Sequence, residues 1–178
     1  MTRIIAGSAG GRRLEVPPGT ATRPTADRAR EGLFSSLQSL LDLQGARILD
    51  LYAGTGALGL EAVSRGAAHA TLVEQDVRAL AAIRTNVEVL GLTATVVDSD
   101  VLRFLQQPPT AYQLVFLDPP YEVEIDPVLL AVLPWLSDDG VVVVERRTRG
   151  GGPTVPEGLR VERSRRYGEA TLWYFSRS

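Results

Sequence analysis

The chain of 178 residues contains no cysteine, a single histidine and a single methionine, and all 19 of its basic residues are arginine. The absence of cysteine rules out a disulfide framework, a thiolate zinc site and a cysteine nucleophile. A reducing, cytoplasmic setting is therefore expected. No apolar run approaches the ~20 residues needed to cross a bilayer, and the opening residues lack the charged-then-apolar pattern of a leader. The prediction is a soluble, untargeted protein away from membranes. His69 stands just ahead of a predicted strand and the acids show no metal-ligand spacing, so the residues predict no metal site. With 44% hydrophobic residues the chain can bury one substantial core, but it has little room for a second full domain.

The net charge of −2 conceals a division along the chain. Residues 1–30 carry +4, residues 31–45 carry −2, residues 46–144 carry −8 and the last 34 residues return to +4. Basic ends around an acidic middle are what a catalytic core with polyanion-gripping edges would show. Arginine suits bidentate phosphate contacts.

From Arg47 to Glu145, short β-rich runs alternate with helical stretches. The pattern predicts strands at Arg47–Leu51, Ala70–Glu74, Ala94–Asp98, Gln113–Asp118 and Gly140–Glu145. Helices are predicted near Gly59–Arg65, Asp76–Leu90, Val101–Gln106 and Ile125–Trp135. Such βα repetition builds a parallel sheet. Leu159–Arg166 and Ala170–Phe175, joined across Tyr167-Gly168-Glu169, read as a closing hairpin. Ahead of the core, Arg3–Ala6 and Arg12–Val16 flank a glycine-rich turn, which predicts a small hairpin. A helix over Asp27–Leu41 follows, with Thr25 or Asp27 available as its cap. The expected organisation is an amino-terminal hairpin-and-helix extension over residues 1–45 and a catalytic α/β domain over residues 46–178.

The first chemical motif is Asp50-Leu51-Tyr52-Ala53-Gly54-Thr55-Gly56-Ala57-Leu58-Gly59, where an apolar strand meets a glycine-rich turn and then a helix. Glycines let backbone approach a ligand closely, and a helix start offers unpaired N–H donors. The pattern also suits a dinucleotide, whose ribose could be held by Glu74 some twenty residues on. Asp50 tilts the reading. S-Adenosylmethionine carries an ammonium and a sulfonium where a dinucleotide carries pyrophosphate, so an acid at this position attracts the first and repels the second. Asp50, Tyr52, Ala53, Gly54, Thr55 and Gly56 are the candidate cofactor residues in this loop. Glu74 with Gln75 is the candidate ribose site, and Asp100 with Val101 the candidate adenine site.

The second motif, Asp118-Pro119-Pro120-Tyr121, ends the apolar run Val115–Leu117. Two prolines remove two N–H donors and leave a loop of acceptors. The exocyclic amine of a nucleobase is a poor nucleophile because its lone pair is delocalised into the ring. Hydrogen bonds from its two N–H groups to the Asp118 carboxylate and the Pro119 carbonyl would pull it towards tetrahedral geometry and free that pair. Tyr121 would stack on the base, a contact worth about 1–3 kcal/mol, and Asp118 would take the proton released after transfer.

A family resemblance covers nearly the whole chain. It is carried by Arg3-Ile4-Ile5-Ala6-Gly7, Gly11-Arg12-Arg13-Leu14, Arg23–Phe34, the Asp50–Gly59 loop, Ser64-Arg65-Gly66-Ala67 and Asp118–Tyr121. These residues resemble the bacterial 16S ribosomal RNA guanine-N2 methyltransferase D family. The resemblance implies a class I, Rossmann-like methyltransferase fold with a mainly parallel seven-stranded sheet. It also implies S-adenosylmethionine as cofactor, a monomer, and one guanine of 16S rRNA in the small subunit as substrate. By the same analogy Arg12, Arg13, Arg23, Arg28 and Arg30 border the cleft as candidate RNA contacts. Arg28 or Arg30 could instead pair with Asp27 or Glu31 on their own helix. An adenine-N6 methyltransferase of DNA or RNA, a nicotinamide-dependent oxidoreductase and a non-catalytic RNA-binding assembly factor remain the alternatives.

Overall fold

The computed structural model describes residues 2–19 and 24–178, with Pro24 and Thr25 described by backbone alone. Five α-helices and seven strands follow one another in these residues: α1 (Pro24–Leu37), β1 (Arg47–Leu51), α2 (Ala57–Ser64), β2 (His69–Glu74), α3 (Val77–Leu90), β3 (Ala94–Asp98), α4 (Val101–Phe104), β4 (Tyr112–Leu117), α5 (Asp126–Val132), β5 (Leu136–Arg147), β6 (Leu159–Tyr167) and β7 (Ala170–Arg177). The strands form one sheet in the order β3-β2-β1-β4-β5-β7-β6. The five strands from β3 to β5 are parallel, and β7 and β6 complete the sheet antiparallel. This is the parallel sheet with a closing hairpin that the βα pattern predicts.

The strands alternate their side chains between two cores. Ile48, Leu114, Phe116, Val141 and Val143 face α1, α2 and α3, which supply Phe34, Leu60 and Ile83. Leu49, Leu51, Val115, Leu117, Val142 and Val144 face α4 and α5, which supply Phe104, Val128 and Leu129. Because both faces are covered, the central strands read as continuous apolar runs rather than as alternating ones. Local chemistry sets the helix ends. The Asp76 carboxylate accepts from Ala79 N at 2.9 Å to start α3, and Gly91 ends it at φ 64°.

Three expectations are revised. The amino-terminal hairpin reduces to a single bridge between Arg3 and Arg13. Backbone hydrogen bonds from Ile4 N to the Arg12 carbonyl, Gly11 N to the Ile4 carbonyl and Leu14 N to the Thr2 carbonyl flank that bridge. Beyond them Ile5 N and Ala6 N donate to the Glu61 carboxylate at 2.7 and 3.0 Å, and Ala9 N donates to Ser64 Oγ at 2.9 Å. Helix α1 runs from Pro24 to Leu37, so Asp27 lies in its first turn rather than capping it, and Leu40 and Leu41 sit in a closing turn. Strand β5 starts four residues earlier than its apolar run, at Leu136, with a register irregularity opposite Tyr112–Leu114. Ile4, Ala9, Leu14, Leu33 and Leu37 belong to the same core as Ile48 and Leu60, so the extension packs directly on the sheet's helical layer.

Candidate active site

The carboxyl ends of β1, β2 and β4 open onto a cleft of about 890 Å³ lined by Asp50, Tyr52, Ala53, Gly54, Thr55, Glu74, Gln75, Val101, Asp118, Pro119 and Pro120, among others. The loop after β1 turns through left-handed backbone at Tyr52, Gly54 and Gly56, with φ of 62°, 59° and 82°. Tyr52 is the only non-glycine residue in that conformation among the described residues. A cost of this kind persists where surrounding structure over-determines it. Here the Glu74 carboxylate does so, accepting from Gly54 N at 2.8 Å and from Gln75 N and Asp76 N at 2.9 Å each. Gly56 does not line the cleft. It lets the loop meet α3, since a Cβ there would come within 2.9 Å of Ile83 Cγ1.

Asp50 sits at the floor of this loop, 1% exposed. Its Oδ2 accepts from Gly59 N at 2.9 Å, while Oδ1 is buried without a hydrogen-bond partner among the described residues. Burial pushes its carboxyl up to about 8, opposed by the Gly59 N–H and reinforced by the charge of Glu74. Asp100 lies outside the lining. Its carboxylate caps α4 by accepting from Arg103 N at 3.1 Å, and its neighbours Ser99 and Val101 face the cleft.

A second cavity of about 570 Å³ adjoins the first, and Asp118 lines both. Its walls include Leu33, Leu58, Phe116 and Leu172, with Tyr121, Glu145, Arg147 and Tyr167 adding polar groups. Asp118 is exposed where the two cavities meet. Its carboxyl is raised well above the usual range, first by desolvation and then by the charge of Glu145, to which it is hydrogen-bonded. The Glu145 carboxyl is raised as well, chiefly by burial. The two carboxyl groups interact, so their titration belongs to the pair. The Pro120 carbonyl accepts from Val123 N at 3.0 Å and closes a turn, and Pro119 lines the first cleft. The Tyr121 ring lies at the cavity rim with the Arg147 guanidinium 4.6 Å from its centroid.

The candidate RNA-contacting arginines do not act as one group. Arg13 and Arg28 are exposed. Arg12 is exposed and donates to the Val89 carbonyl at 2.8 Å, near the end of α3. Arg23 lies outside the described residues. Arg30 is 7% exposed and turned inwards, where it bonds the Arg3 carbonyl and approaches Asp27 at 3.5 Å and Glu61 at 3.7 Å. It also lines the second cavity. His69 joins β2 to β3 through a 2.8 Å hydrogen bond between Nε2 and Thr95 Oγ1.

Three residues absent from the sequence-derived site buttress it from the end of β5. Glu145 bonds Asp118, Arg146 donates to the Tyr121 carbonyl at 3.0 Å, and Arg147 covers the Tyr121 ring. The available signal was a Glu-Arg-Arg run directly after four valines, at the carboxyl end of a buried strand, where α/β sheets hold their ligands.

Comparison with known proteins agrees with this architecture. The family described as conserved hypothetical protein 95 matches residues 2–176. Ribosomal RNA small subunit methyltransferase D of Escherichia coli K12 is 40% identical over 179 residues, covering 98% of this chain and 89% of its own. The corresponding protein of Haemophilus influenzae is 35% identical over 151 residues, covering 80% and 77%. Among solved structures, yhhF from Escherichia coli superposes with a TM-score of 0.89 at 36% identity, covering 99% of this chain and 97% of its own. A methyltransferase-fold neighbour at 16% identity, TM-score 0.68, was solved in complex with S-adenosylhomocysteine, covering 86% of this chain and 50% of its own. At that identity the likeness is one of fold.

Proposed function

The chain belongs to the ribosomal RNA small subunit methyltransferase D family, and from that premise we propose that it transfers the methyl group of S-adenosylmethionine to the exocyclic N2 of a guanine in 16S rRNA of the small subunit. The observation that carries the proposal is the position of Asp118 at the junction of two cavities, one floored by the glycine-rich loop and the other apolar-walled and of a size for a nucleoside.

The larger cavity suits the cofactor. Asp50 brings a buried, unpartnered carboxylate oxygen towards it, which an ammonium would satisfy and a pyrophosphate would not. Tyr52, Ala53, Gly54, Thr55 and Gln75 would hold the remainder, with Glu74 offering its remaining lone pairs to ribose hydroxyls and Val101 an apolar contact for adenine. Asp100, committed to capping α4, would act through that helix start. When bound, S-adenosylmethionine supplies a methyl carbon made electrophilic by the sulfonium and leaves as S-adenosylhomocysteine.

The chain's own residues prepare the nucleophile. Asp118 and the Pro119 carbonyl accept the two N2 hydrogens and hold the amine with its lone pair exposed, while Tyr121 at the cavity rim stacks on the base. Asp118 then takes the proton that the N2 cation loses. A carboxylate whose affinity for protons is raised by burial is well suited to this step. Arg13 and Arg28, and Arg12 at the end of α3, provide exposed charge for rRNA phosphates around the opening.

Two measurements test this reading. S-Adenosylhomocysteine should raise the unfolding temperature and NAD should not; the reverse would favour an oxidoreductase. Asp118→Ala should lower methyl transfer to unmodified small subunits by about 10²-fold or more with cofactor binding retained; undiminished transfer would remove Asp118 from the mechanism.

A further inference from the structure

The second cavity holds more chemistry than an acceptor for one amine. Strands β4 and β5 run in parallel register, Leu117 beside Val144, which brings Asp118 beside Glu145. Residues alternate along β5, so Glu145 and Arg147 point to the same face of the sheet, and both line the cavity together with Asp118. Asp118 and Glu145 are hydrogen-bonded, and Arg147 is fixed over the Tyr121 ring. Along one wall the cavity therefore presents two carboxyl groups side by side, with the Arg147 guanidinium beyond them against Tyr121.

That order complements one nucleobase edge. The Watson–Crick edge of guanine carries the N2 amine, then the N1 hydrogen, then the O6 acceptor. Adenine placed with its amine at Asp118 would turn the bare lone pair of N1 towards Glu145. We propose that Glu145 selects guanine by accepting its N1–H, with Asp118 on N2. The assignment rests on the methyl-transfer reading and deepens it: base choice becomes a property of the β5 end. Glu145 has two carboxylate oxygens, so one can lie towards Asp118 while the other accepts from N1–H. An enclosed polar group that recognises one hydrogen on a base discriminates strongly, because the analogue lacking it leaves the protein group unpaired.

The test compares two bases that both carry the 2-amino group. Small subunits are reconstituted with either guanine or 2-aminopurine at the target position; 2-aminopurine has no N1 hydrogen. The wild type should methylate the guanine substrate strongly and the 2-aminopurine substrate poorly. Glu145→Gln, whose amide can donate to N1, should reduce that preference in kcat/KM by about 30- to 100-fold, the range of a hydrogen bond to a charged group. Because preference is a ratio within one variant, it is insensitive to the fraction of protein folded. A competition between the two subunits for binding reads the same preference without turnover, so a variant that transfers to neither still answers the question. An unchanged preference in Glu145→Gln, or a wild type indifferent to the two bases, overturns the assignment. A wild type that forms no N2-methylguanosine on the guanine substrate instead overturns the methyl-transfer reading beneath it.

Discussion

Asp50 is a carboxyl group kept from water, with one oxygen satisfied by the Gly59 N–H and the other unpaired among the described residues. Such a group is costly when charged and waits for a cation. Its carboxyl is held up to about 8, whereas an unfolded aspartate titrates near ~3.9. Between those values the folded chain holds one proton more than the unfolded chain, so this group's contribution to stability falls as pH rises through that window and levels off above about 8. Cofactor binding should run in the opposite sense. An ammonium favours ionised Asp50, so affinity for S-adenosylhomocysteine should increase with pH up to about 8, with a proton released on binding. Calorimetry in two buffers of different ionisation enthalpy detects that proton. Asp50→Asn should abolish its release and weaken binding by about 10- to 100-fold. Release undiminished in the variant would show that Asp50 does not face the ammonium.

At the scale of elements, one buried acid joins the amino-terminal segment to the helical layer. Glu61 on α2 is 0% exposed and receives Ile5 N, Ala6 N and Arg65 Nε, with Arg30 of α1 at 3.7 Å. Gly7 makes the close approach possible: it has φ 84°, and a Cβ there would lie 1.9 Å from the Ser64 carbonyl oxygen. Glu61→Gln removes the charge and leaves Arg30 buried without its main partner, a change that typically costs about 3–5 kcal/mol. A urea titration should show the midpoint lowered accordingly, and a shift within error of the wild type would mean that the segment is held by its apolar contacts alone. Glu61 also marks the limit of what the sequence discloses. Strands β1, β2 and β4 are legible because burial on both faces makes them apolar runs, and the Asp50–Gly59 and Asp118–Tyr121 loops are legible because their chemistry is local. The Arg30–Glu61 tie is not legible, since the helix itself offers Arg30 nearer partners at Asp27 and Glu31. Glu145 escapes for the same reason: only the β4–β5 pairing brings it to Asp118 from 27 positions away.

Across the whole molecule the charge division acquires a location. The acidic middle of the chain contains the strand ends that surround the cofactor cleft, and the basic first and last segments both reach the second cavity, through α1 and through the β5 end with the β6–β7 turn. A polyanion approaching the acceptor cavity thus meets basic surroundings, while the cationic cofactor sits against acids. No described helix is long and apolar enough to cross a membrane. The central claim, methylation of guanine N2 in 16S rRNA, is tested most directly by incubating unmodified small subunits with the protein and labelled S-adenosylmethionine, then digesting the rRNA to nucleosides. The label should appear in N2-methylguanosine at a single site and vanish with Asp118→Ala; label in N6-methyladenosine, or none in 16S rRNA, would contradict it.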